Sequence, residues 1–157
     1  MNGKPITRSC GECTTCCNTT AVLALNKPEH QWCTHCDIGK GCKIYETRPS
    51  GCKDFYCDWL KGVGEEDQRP DKTGIVAFRA GNVKSGGLYC IAEMEHGQLD
   101  TPYARRLINK ALKLPFVVSC SFVRRRTYLV IPTGAVIHPH ITKLMMSGVG
   151  YKNADSV

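Results

Sequence analysis

The sequence predicts an α+β protein in two parts: a metal-stabilised, cysteine-rich N-terminal module over residues 1–62, then a small antiparallel-sheet domain with helices over residues 63–157. Three observations carry this prediction. Nine of the eleven cysteines lie between Cys10 and Cys57. Strand and helix signals are confined to the second half, in the order strand, strand, helix, strand, strand, helix. Charge divides in the same place, with seven basic and six acidic residues up to residue 60 against fourteen and eight beyond it, so most of the net +7 sits in the second half.

The first half has too few aliphatic residues for an independent core, and domains of about 60 residues are marginal even with ordinary composition. Metal coordination is the natural substitute, since structural zinc supplies on the order of 10 kcal/mol or more of folding free energy in zinc-finger peptides. The run CGECTTCC places Cys10, Cys13, Cys16 and Cys17 in the pattern CxxCxxCC. A two-residue spacer lets the chain turn so that two thiolates reach one ion. Adjacent Cys16 and Cys17 diverge, which points to a second ion or a bridging role. WCTHC adds Cys33, His35 and Cys36, and Cys42, Cys52 and Cys57 follow. Nine sulfurs exceed one closed site and approximate two, so the expected cofactor is zinc as two ions, mainly structural. Ile44 and Tyr45 are expected to floor the metals, with Phe55, Tyr56, Trp59 and Leu60 closing them from a short helix. Arg48 either offsets thiolate charge or pairs with Asp54 or Asp58 at the surface.

The junction KGVGEEDQRPDKTG, residues 61–74, is rich in Gly, Pro and charge, as a surface linker is. Beyond it Ile75–Arg79 and Leu88–Met94 are β-prone runs joined by the turn residues AGNVKSGG. Thr101 reads as an N-cap with Pro102 at the first helical position, and Tyr103, Leu107, Ala111 and Leu114 recur at helical spacing. Phe116–Phe122 and Tyr128–Ile131 form a second strand pair joined through Arg124, Arg125 and Arg126, and Pro139–Met146 makes a last short helix. Cys90 and Cys120 fall within strands and read as small buried hydrophobes.

CGECTTCC followed by GCKIYETRPSGCKDF, residues 41–55, resembles the YkgJ-type bacterial cysteine-cluster proteins, described as a zinc- or iron-chelating domain. The resemblance covers about residues 8–60. It implies metal binding by Cys10, Cys13, Cys16, Cys17, Cys42 and Cys52, with Cys33 matching a middle cysteine of looser spacing. Cys36, Cys57 and His35 match elaborations found in some members. A related cluster occurs in flagellin lysine methylases, which keeps open an iron or iron–sulfur protein with redox or methyl-transfer chemistry. This chain has no glycine-rich nucleotide loop.

Catalytic thiol chemistry is disfavoured, because His35 stands between two cysteines as a ligand does, not as a base beside one nucleophile. His138 and His140 flank Pro139 in an HxH pattern that can bind a metal, but no third ligand is near and the expected setting is a solvent-facing loop. Arg124–Arg126, with Arg105, Arg106, Lys110 and Lys113, offer a polyanion or nucleic-acid partner in a zinc-scaffolded alternative, against the plainer expectation of a solvated charged face. The start MNGKPITRSC lacks an apolar signal core, and no stretch approaches the ~20 apolar residues of a membrane span. The expectation is a cytoplasmic protein with reduced thiols and no membrane partner.

Overall fold

In the first unit regular structure is scarce, as its composition dictates. A computed structural model describes residues 6–124, 127–135, 137–147 and 149–153, and the chain divides after Val76 into two compact units. The first unit contains α1 (Thr15–Thr19), the two-residue strands β1 (Cys36–Asp37) and β2 (Gly41–Cys42), α2 (Ser50–Lys53) and α3 (Pro70–Thr73). Helices this short do not hold themselves together. Their interior is largely polar: Thr14, Thr15, Asn18, Thr19, Lys27 and Asp58 are buried, against Cys57, Trp59, Leu60 and Pro70 among the apolar side chains before residue 75.

Side-chain to backbone bonds replace the missing hydrophobic core. The Arg8 guanidinium lies 4.9 Å from the Trp59 ring centroid, donates to the carbonyls of Trp59 and Gly64, and pairs with Glu66 at 2.8 Å. Lys27, only 7% exposed, donates through Nζ to the carbonyls of Asn18 (3.0 Å), Pro28 (2.9 Å) and Thr20. The stretch 61–74 is therefore not a bare linker. It carries a capping box from Glu65 to Gln68, the helix α3, and the contacts that fasten Arg8. Phe55–Leu60 does not form the expected helix. The chain turns there instead, with the N–H groups of Lys61 and Val63 both donating to the Asp58 carbonyl at 3.0 Å, and the Trp59 indole N–H donating to Glu65 O at 3.0 Å.

The second part of the chain forms a five-stranded sheet in the order β3 (Ile75–Ala80), β4 (Leu88–Glu93), β5 (Val117–Ser121), β6 (Tyr128–Ile131), β7 (Gly150–Asn153). Here the expectation of an antiparallel sheet needs correction. β5 and β6 are antiparallel, with Val118 opposite Val130, but β4 runs parallel to β5 and β6 parallel to β7. The reason is the helices: α4 (Pro102–Ala111) and α5 (Pro139–Met146) each fill the connection between two strands, and a helical crossover returns the chain in the same direction. The fold class remains mixed α and β, with a two-stranded antiparallel pair in the first unit and this mixed sheet in the second.

Local signals explain these elements. Thr101 caps α4 by accepting the Ala104 N–H at 3.2 Å, with Pro102 at the first position, and the helix buries Ala104 and Ala111. Ile91, Val118, Leu129 and Ile141 are almost wholly buried, the last placing one face of α5 against Val117, Leu129 and Ile131. Cys120 belongs to this interior and burial alone pushes its thiol up to about 12, whereas Cys90 in β4 is only half-buried. The edge strand β7 had no sequence signal, its residues being largely exposed. It docks because Gly150 leaves room for the Tyr128 ring, whose Cε1 would stand 2.6 Å from an added Cβ.

Glu93, fully buried at the end of β4, joins the loops beyond the sheet. One carboxyl oxygen accepts from the Leu99 N–H and the other from the Val123 N–H, both at 2.9 Å. Glu93→Ala strands two donors away from water and is expected to destabilise this unit by about 2–5 kcal/mol. Hydrogen exchange of the β4 and β5 amides against urea measures it, and a change below the error of the midpoint would remove Glu93 from this role.

Candidate metal centre

Two tight turns and a hairpin present the thiols of the first unit. In CGEC the Cys13 N–H donates to the Cys10 carbonyl at 2.9 Å, and in CTHC the Cys36 N–H donates to the Cys33 carbonyl at 3.0 Å. Both CxxC segments thus close in the same way, which turns their two cysteines toward one side. The β1–β2 hairpin sets Cys36 directly opposite Cys42. The Cys33 N–H donates to Cys17 O at 2.9 Å, which brings the hairpin to α1 and the CxxCxxCC segment.

The result is one open pocket of about 430 Å³ lined by Cys10, Cys13, Cys16, Cys17 and Cys42 together with the cationic Lys40, Lys43 and Arg48. All nine cysteines of this unit carry free thiols. The Cys17 thiol hydrogen-bonds the Cys16 side chain, and that bond with burial raises it far above the ordinary thiol range. Burial, reinforced by Cys17, pushes Cys36 up to about 12. Cys57 is pushed up to about 11, again chiefly by burial.

The electrostatic neighbours sort the thiols into two groups. Cys57 is raised by Cys10 and Cys13, and Cys10 by Cys13 and Cys17. Cys52 is raised by Cys17, Cys33 and Cys42, and Cys36 by Cys17 and Cys33. One group is Cys10, Cys13 and Cys57, with Asp71, whose carboxylate the Arg69 guanidinium holds at 2.6 and 2.8 Å, beside Cys13; the other is Cys17, Cys33, Cys36, Cys42 and Cys52, with Cys16 beside it; Cys17, which also raises Cys10, joins the two. Among the described residues no three Cys, His, Asp or Glu side chains converge closely enough to hold an ion as they stand. The thiols share a neighbourhood without occupying ligand positions.

Arg48 belongs to the site. Its guanidinium stacks 3.8 Å from the Tyr45 ring centroid and lowers the thiol pKa of both Cys10 and Cys52 against the rise that burial imposes. Its Nε is buried without a hydrogen-bond partner, a donor available to sulfur that carries charge. Asp58 pairs instead with Lys61 at 3.9 Å. Tyr45 is not a buried floor: it is 57% exposed and serves as the surface on which Arg48 lies. His35 contributes its carbonyl, which accepts the Lys43 N–H at 2.8 Å across the hairpin, and it does not line the pocket.

Lys27, Lys40, Lys43 and Thr14 were not visible as site residues in the sequence. Thr14 is buried, and its Oγ1 accepts the Gly39 N–H at 3.1 Å, tying α1 to the hairpin tip. Lys27 lies within electrostatic range of Cys33, Cys17 and Cys16, and burial lowers its pKa. A polar residue at such a position looks like any surface residue until its tertiary partners are known. In the second unit Arg105, Arg106 and Arg124 are exposed, Arg124 at a positive φ of 61°, while Arg125 and Arg126 lie outside the described residues. Among the described residues no helix is long and apolar enough to cross a membrane. Comparison with protein-family models, curated proteins and solved structures finds no match to this chain.

Proposed function

We propose that the first unit is a thiolate metal-binding module, with zinc as its ion, two ions per chain, and a mainly structural role. The observation that carries this is the gathering of nine thiols from four separate chain segments in a unit with few buried apolar side chains. Burial, with the repulsion that neighbouring thiolates would exert, keeps these groups as neutral thiols, which gain little from one another. A divalent cation reverses that balance, because it takes the thiolate form and converts repulsion into shared coordination. Binding draws the thiols in from their present separations, which is how folding free energy and metal affinity become linked.

The two electrostatic groups suggest the assignment. Cys10, Cys13 and Cys57 hold one ion, with Asp71, which would have to leave its ion pair with Arg69, as the adjacent oxygen donor. Four of Cys17, Cys33, Cys36, Cys42 and Cys52 hold the other, with Cys16 at the boundary. Arg48 and Lys27 offset the negative charge that thiolate ligation adds, the first from the Cys10 and Cys52 side and the second from the Cys16, Cys17 and Cys33 side. The resemblance to YkgJ-type chelating domains implies Cys10, Cys13, Cys16, Cys17, Cys42 and Cys52 among these ligands, with Cys33 as the middle cysteine of looser spacing.

A second reading is iron or an iron–sulfur cluster, since the cysteine-lined pocket of about 430 Å³ is larger than a single ion fills and takes a cluster as readily as two zinc ions. Elemental analysis of anaerobically purified protein separates the two. A colourless chain carrying two zinc ions is the expected result. Visible absorption with iron and acid-labile sulfide would establish the second reading, and a chain that retains no metal would contradict both.

A further inference from the structure

Two histidines at the start of α5 lie far along the chain from the cysteine module. His138 is the N-cap residue of the helix but makes no side-chain cap bond, and His140 stands in the first turn after Pro139. Their Nδ1 atoms are 3.1 Å apart, with ring centroids at 5.0 Å and planes tilted by 50°. The close approach depends on a third residue. A Cβ on Gly86 would fall 2.4 Å from His138 Cβ and 2.5 Å from His140 Cε1, so only glycine lets both rings rest against that backbone. Gly86 has a φ of +71°, and Asn82 fixes its turn, accepting the Ser85 N–H on Oδ1 at 3.0 Å and the Gly87 N–H on its carbonyl at 2.7 Å.

We propose that His138 and His140 form a bidentate site for a borderline divalent cation such as Zn²⁺ or Ni²⁺, through their two Nδ1 atoms. With metal–nitrogen bonds of about 2.0–2.1 Å, two imidazole nitrogens on one ion stand about 2.9 Å apart at a right angle and about 3.3 Å apart at the tetrahedral angle. The observed 3.1 Å lies between those limits. Without an ion the same separation suits one N–H···N hydrogen bond. Binding an ion needs both Nδ1 lone pairs free and the ring protons on Nε2. His140 is exposed and His138 half-buried, so water completes the coordination. The positive end of the α5 dipole opposes a cation, and two protein ligands are fewer than four, so this site is weaker than the cysteine centre.

The test uses the whole protein, saturated with Zn²⁺, freed of excess, and titrated with Ni²⁺ by calorimetry and by ¹H–¹⁵N spectra of the imidazole nitrogens. One Ni²⁺ per chain is expected to broaden the signals of His138 and His140 and to leave those of His30, His35 and His96 unchanged. His140→Gln should abolish this binding. Gly86→Ala, which retains both imidazoles, should weaken it about tenfold or more. If Gly86→Ala does not fold, His140→Gln alone decides. An unchanged isotherm in His140→Gln, or an ion that broadens neither ring, would show the pair to be a hydrogen bond only. Because the readout is two assigned rings, failure of the cysteine centre to hold zinc would leave this test intact.

Discussion

Chelation of the metal-loaded protein is expected to remove protease protection from residues 10–60 while the sheet from β4 to β7 stays resistant. Structural zinc contributes on the order of 10 kcal/mol or more to folding of small modules, and this unit has few buried apolar side chains besides Cys57, Trp59, Leu60 and Pro70 to fold without it. The second unit has Ile91, Val118, Leu129 and Ile141 packed out of water and is expected to hold its fold without metal. Limited proteolysis followed by mass spectrometry, before and after a chelator, reads both halves in one experiment. Uniform loss would mean that the two units share one stability. Unchanged cleavage within residues 10–60 would mean that metal plays no part in their folding.

Lys27→Met should destabilise the first unit by about 3 kcal/mol or more and make it surrender metal at about tenfold lower chelator concentration. The substitution keeps most of the side-chain length and leaves the carbonyls of Asn18, Thr20 and Pro28 without their donor. It also removes a buried cation near Cys16, Cys17 and Cys33. Lys27→Arg should recover only part of the loss, because a planar guanidinium cannot aim at three carbonyls converging on one nitrogen. Competition with a chromogenic chelator measures the shift; equal release from wild type and Lys27→Met would show that the ammonium acts on neither fold nor metal.

Much of the second unit was legible in sequence because its signals are local. Thr101 followed by Pro102 marked the start of α4 at the residue where it begins, and the four β-prone runs are all strands. The parallel pairing of β4 with β5 was implicit in the helix read between them, since a helical crossover returns the chain in the same direction, whereas that of β6 with β7 was not, because β7 itself went unread. β7 escaped notice because Gly-Tyr-Lys-Asn is short and exposed, and its place depends on Tyr128 lying over Gly150. In the first unit the cysteine spacing announced the candidate centre, and two of its three CxxC segments, Cys10–Cys13 and Cys33–Cys36, close as that spacing implies. Its scaffold stayed hidden. Lys27, Arg8 and Thr14 act through backbone groups brought near only by the fold, and Phe55–Leu60, expected as a short helix, turns where Asp58 O collects two N–H donors. Glu93 shows the same limit in the second unit, since nothing in LYCIAEME reveals that its acid accepts from Leu99 and Val123.

The central claim is that the nine thiols between Cys10 and Cys57 hold metal as a set, and native mass spectrometry combined with thiol alkylation tests it most directly. The account predicts a folded chain heavier by two zinc ions whose nine thiols resist alkylation, and an apo chain after chelation in which all nine react. A native chain at its bare mass, with those thiols alkylated equally fast before and after chelation, would contradict it.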